Sequence, residues 1–90
     1  MKTYLLIFNS LFGTRQKTIE ILNNISTISH IWSDMPHAIL LKSSSDANKL
    51  CDDIRAKNPH GRFFVCEISS NRQGYLPNDT WTFIKGKTND

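Results

Sequence analysis

Only two cysteines, three prolines and four glycines occur among the 90 residues. Two thiols cannot staple a disulfide scaffold, and the isolated Gly13, Gly61, Gly74 and Gly86 build neither a collagen repeat nor a glycine-rich phosphate loop. No apolar run approaches the roughly 20 residues of a membrane span. The opening Met1-Lys2-Thr3-Tyr4-Leu5-Leu6-Ile7-Phe8 imitates a signal peptide, but Asn9-Ser10 ends its apolar run and no small-residue cleavage site follows. The expected setting is therefore cytoplasmic, away from a membrane. No internal repeat and no low-complexity tract is present.

What remains is the composition of one folded domain. Hydrophobic residues make up 39% and charged residues 21%, which excludes intrinsic disorder. Eleven Lys and Arg against eight Asp and Glu leave a formal charge of +3, a mildly basic balance that suits nucleic acid without requiring it. Cys51 and Cys66 fall on apolar faces, where thiols act as small hydrophobes, so reduced core cysteines are expected.

Thr3 to Phe8 is β-prone and apolar on both alternating faces, as a central strand covered on both sides would be. Thr14 then caps a helix with apolar Ile21, Leu22, Ile25 and Ile28, and Arg15, Lys17, Glu20, Asn23 and Asn24 lie opposite. Ile28 to Ser33 alternates as a half-exposed strand, Asp34-Met35-Pro36 reads as a tight turn, and His37 to Lys42 resumes as a second strand. Ser43 to Asp46 supplies caps for a helix with Ala47, Leu50, Cys51 and Ile54 on one face, ending before Pro59. Arg62 to Ile68 forms a fourth strand.

The order β-α-β-β-α-β predicts an α+β, ferredoxin-like domain over residues 1–70, with an antiparallel sheet of order 4-1-3-2 and two helices on one face. Residues 71–90 form a C-terminal extension. Within it Asn78 or Asp79 can cap, and Gly86 can stop, a short helix presenting Trp81 and Ile84, with a fifth strand as the alternative. Helices on one side leave the other sheet face uncovered. Tyr4, Leu6 and Phe8, or Leu5 and Ile7, then need a second copy or the folded-back Trp81 and Phe83 to cover them, and a homodimer is expected.

In this topology the connections 9–14, 34–37 and 58–62 share one end of the sheet. Arg15, Lys17, Lys57, His60 and Arg62 there form a rim suited to phosphate or to a protein partner. Ser10 and His37 lie at the same end as His60. His30, Asp34 and His37 lie close in sequence but at a spacing common by chance, so no metal site is assigned. Trp32 and Trp81, with Tyr75 and Phe83, can stack bases, although aromatics in so small a chain usually serve packing. The acidic residues, Glu20, Asp34, Asp46, Asp52, Asp53, Glu67, Asp79 and Asp90, are scattered. No nucleophile-base order and no cofactor motif is visible, so no catalytic residue and no cofactor is assigned.

The Tyr4-Leu5-Leu6-Ile7 strand, the segment from His30 to Lys42, Ser44-Ser45-Asp46-Ala47 and the tail Gly74 to Trp81 resemble small bacterial SinR-family proteins. These are relatives of the small ferredoxin-like CRISPR-associated nucleases and of VapD-type toxins. The resemblance implies a homodimer from a bacterium or mobile element. It also implies a metal-binding aspartate at the end of the first strand in the nuclease branch. Asn9 occupies that position, and a neutral amide is a poor ligand for a hard cation such as Mg²⁺. The expectation is a non-catalytic interaction protein of bacterial defence, counter-defence or mobile elements, with a protein or nucleoprotein partner. Binding of RNA or DNA, or ribonuclease action without metal by His37, His60 or Ser10 as the resemblance to toxins implies, is the alternative.

Overall fold

A computed structural model describes residues 1–86. Its elements run β1 (Lys2–Phe8), α1 (Arg15–Asn23), β2 (Ile28–Met35), β3 (Ala38–Ser43), α2 (Ala47–Lys57), β4 (Phe63–Glu67) and α3 (Asn78–Lys85). The four strands form one antiparallel sheet of order β2-β3-β1-β4, which is the expected order counted from the opposite edge. The extension forms a helix and not a fifth strand. Its last four positions, with Asp90, lie outside the described residues. No described helix is long and apolar enough to cross a membrane.

Caps define the first two helices. Thr14 Oγ1 accepts from the Lys17 N–H at 3.1 Å, and Asp46 Oδ1 from the Lys49 N–H at 2.9 Å, each satisfying a donor that the helix cannot. Helix α1 stops earlier than its apolar spacing suggests: Asn24 caps it, Ile25 lies in the connection and Ile28 opens β2. Both isoleucines stay apolar because the connection crosses the same core. Strand β2 extends through Met35, so the hairpin turn is tighter than the sequence indicates.

Strand register decides the two faces. Tyr4, Leu6, Phe8, Ile39 and Leu41 are buried in one cluster with Ile21, Leu22 and Ile25 and with Leu50 and Ile54. Tyr4, Leu6 and Phe8 are thus core residues beneath α1 and α2, and are not available for a dimer or for tail packing. Alternation puts Leu5 and Ile7, the partners of Leu40 and Ala38 in β3, on the opposite face. Helix α3 covers one part of that second face. Trp32 Nε1 donates to the buried Thr80 Oγ1 at 2.9 Å, and the Trp32 ring stacks on Phe83 at 5.9 Å. Trp81 and Ile84 line a hollow with Leu5, Leu40 and Ile68. Lys42, also buried, places its ammonium 5.2 Å from the Phe83 ring centre and donates to the Gly86 carbonyl at the end of α3.

Tyr4 ties the sheet to the β3–α2 connection. Its hydroxyl donates to the Ser45 carbonyl at 2.7 Å, and burial, with Glu67 and Asp46 nearby, raises its pKa above the ordinary value. A raised phenol pKa means that the folded state holds the proton more tightly than the unfolded chain, so this contribution is complete below about pH 10 and is lost as pH rises through the folded value. Tyr4→Phe is expected to flatten the alkaline fall in stability measured by urea denaturation at successive pH values. An unchanged alkaline limb would remove Tyr4 as its source.

Candidate functional site

Three connections meet at one end of the sheet, as the topology requires. The Phe8 N–H donates to the His37 carbonyl at 3.2 Å, and the Asn9 N–H to the Arg62 carbonyl at 3.1 Å. Asn9 is the keystone of this end. Its Oδ1 accepts from the N–H groups of Phe12 at 3.2 Å and Arg62 at 3.0 Å, so the carboxamide is spent on holding two loops together. From the other side, Asn58 Nδ2 donates to the Phe12 carbonyl at 2.6 Å and Asn58 Oδ1 accepts from the His60 N–H. Gly61 sits between the loops at φ +78°, where a side chain would collide with the Phe12 backbone. Aromatic contacts continue the seam: Phe8 to Phe12 at 5.8 Å, Phe12 to Phe63 at 5.4 Å, and the His37 ring edge-on to Phe8 at 5.5 Å.

Two surfaces of different chemistry flank this seam. The first is apolar. Strand pairing aligns Met35, Ala38, Ile7 and Phe64 in one row across all four strands, on the face that α3 leaves open. Met35 is 48%, Ile7 44% and Phe64 60% exposed, although each is a large hydrophobe. Pro36, His37 and Arg62 border the same shallow hollow.

The second surface is polar and cationic. A hollow of about 360 Å³ between α2 and the 58–62 loop is lined by Cys51, Arg55, Asn58, Pro59, Gly61, Arg62 and Phe63. A spacing of four residues puts Cys51 and Arg55 on one flank of α2, and Asn58 caps the end of that helix. Arg62 stands on the ridge between the two surfaces, lining both. No acidic residue lines this hollow, and the ion pair found among the described residues, Lys49 with Asp53, involves neither arginine.

The structure therefore redistributes the expected rim. Arg62 remains in place, and the exposed Arg15 opens α1, with Lys17 two residues on in the same first turn. Lys57 does not join Arg62. It lines a separate hollow on the other flank of α2 with Lys49 and Asp53. His60 is exposed on the loop. Arg55, outside the expected rim, lines this hollow, and its helical spacing from Cys51 signals the shared flank.

The other sequence candidates are placed as follows. Trp32 is half-buried against Phe83 and Thr80, and Trp81 lines the hollow beneath α3, so both serve packing, whereas Tyr75 is fully exposed. Both cysteines are free thiols and only half-buried, which differs from the core position expected of them: Cys51 lies beside the cationic hollow, and Cys66 pairs with Leu5 in the sheet. Among the described residues no three of His, Cys, Asp and Glu come together as metal ligands would. Nor does a described contact join Ser10, His37 and His60.

Comparison with protein-family models, curated proteins and solved structures finds no match to this chain. The functional reading accordingly rests on the geometry.

Proposed function

We propose that this chain is a non-catalytic interaction protein with a ferredoxin-like core, which forms a homodimer through the open half of its sheet and docks a protein or nucleoprotein partner. Its role in bacterial defence, counter-defence or mobile-element biology is part of the proposal and rests on the sequence resemblance, and its cytoplasmic setting rests on the short apolar runs of the sequence. The observation that carries the reading is the exposed row Met35-Ala38-Ile7-Phe64. Contiguous large hydrophobes on a sheet face mark an interface, because water is a poor cover for them. Three of the four are aliphatic or thioether side chains, which suit a packed protein contact better than base stacking.

A second copy fits this row by symmetry. A two-fold axis along the strands lays the row antiparallel on its own copy. Met35 then meets Phe64 of the partner subunit, a sulfur-aromatic contact, and the small Ala38 meets the larger Ile7. The non-catalytic part of the reading is supported by Asn9, whose carboxamide oxygen is already engaged by two backbone donors.

Ile7→Lys combined with Phe64→Glu is expected to convert a dimer into a monomer in sedimentation velocity, with the dissociation constant raised by about thirty-fold or more, as for the loss of an interface hot spot. Both positions are solvent-exposed, so the circular dichroism spectrum should not change. A parent protein that sediments as a monomer at every soluble concentration would overturn the dimer.

A further inference from the structure

The positive charge of this chain is segregated. Residues 9–19 and 54–66, the two stretches zipped together by Asn9, Asn58 and Gly61, carry Arg15, Lys17, Arg55, Lys57 and Arg62 and no Asp or Glu. These five cations exceed the formal charge of +3, so the rest of the chain is net negative. Lys57 faces the other flank of α2, so the remaining four cations make the site end a cationic pole on a chain otherwise of net negative charge. Within it the hollow between α2 and the 58–62 loop brings two guanidinium groups to one concavity with an Asn side chain and no carboxylate.

We infer that this hollow is a binding site for a backbone phosphate of nucleic acid, held by Arg55 and Arg62 with Asn58 as the wall between them. Guanidinium is a planar fork of N–H donors that matches phosphate oxygens two at a time, and it stays charged at every physiological pH. Neither arginine has a carboxylate partner among the described residues, so neither must surrender an ion pair to bind. A volume of about 360 Å³ admits one phosphate and its sugar, which is a contact that positions a chain without reading its bases. The repeat of phosphates along a nucleic acid then extends past the hollow toward Lys17 and Arg15, on the helix whose preceding turn touches Gly61. A single small anion would leave those cations unused. Arg62 also borders the apolar row, so the nucleic acid lies along the rim of the proposed dimer and the site is complete within one copy. It therefore goes beyond the dimer reading and does not depend on it.

Cys51 supplies a reporter, since it lines the hollow while Cys66 lies in the sheet. The experiment uses the full chain carrying Cys66→Ser. A fluorescent single-stranded oligonucleotide is titrated by anisotropy at several salt concentrations, and the alkylation rate of Cys51 is followed with and without it. Binding is expected, with Cys51 protected. Arg55→Ala with Arg62→Ala should weaken binding about ten-fold or more at low salt, flatten the salt dependence by about one to two units of log-log slope, and abolish protection. Lys57→Ala, on the other flank, should leave protection intact. Repeating the titration with Ile7→Lys and Phe64→Glu separates the two proposals, because the monomer should still protect Cys51. Failure of the oligonucleotide to bind at low salt, binding that ignores both arginines, or equal protection by inorganic phosphate or by an acidic peptide would each overturn the assignment.

Discussion

Replacing Gly61 by alanine should lower the free energy of unfolding by at least about 3 kcal/mol in urea denaturation. Two causes act together. The backbone at Gly61 has φ +78°, a conformation that a Cβ makes costly, and the added carbon would collide with the Phe12 nitrogen and lie 2.7 Å from the Leu11 carbonyl carbon. Backbone cannot swing aside as a side-chain tip can, so the 58–62 loop must lift off the 9–13 turn. The hydrogen bonds from Asn58 to the Phe12 carbonyl and from the Arg62 N–H to Asn9 are then lost, at about 1 kcal/mol each. Gly74→Ala is the control, since its new carbon meets nothing closer than 4.0 Å. The cationic hollow shares the 58–62 loop, so Gly61→Ala should also weaken nucleic-acid binding even where the protein remains folded. Equal stability of the two alanine variants would show that the loops are not in contact as described.

Trp32→Ala is expected to cost about 3 kcal/mol and to release α3 from the sheet. The indole is the anchor of that helix: it stacks on Phe83 and donates to the Oγ1 of the buried Thr80. An eight-residue helix is too short to persist by its own propensity, so undocked it should melt. Hydrogen exchange by NMR would show this as loss of protection in 78–85 while β1 and β3 remain protected. Trp32→Phe keeps the stacking and loses the donor, so its cost should be near 1 kcal/mol. If α3 kept its protection in Trp32→Ala, the helix would be held by Trp81 and Ile84 instead.

The particular residues explain which parts of this molecule are legible from sequence. Helix α2 is readable because Ala47, Leu50, Cys51 and Ile54 recur with helical period, Asp46 caps the start and Pro59 blocks extension. The hairpin is readable because apolar stretches flank Asp34-Met35-Pro36. Strand β1 shows the limit. Every residue from Tyr4 to Phe8 is apolar, so alternation, the signal that assigns a face, is absent, and Tyr4, Leu6 and Phe8 fit either side equally. The tail is ambiguous for a related reason: Trp81-Thr82-Phe83-Ile84 suits a strand or a helix, and packing against Trp32 selects the helix.

Local spacing and capping determined the order of the first six elements, and with the handedness and pairing rules of βαβ units also the sheet sequence and the meeting of three loops at one end, because these depend on periods and chain connectivity. Tertiary structure alone decided which face of β1 is core, that Lys57 points away from Arg62 while Arg55 points toward it, and that Asn9 is a strut between loops. Each of those depends on distances between segments remote in the chain, such as the Arg62 N–H at 3.0 Å from Asn9 Oδ1, and no local pattern encodes such a distance.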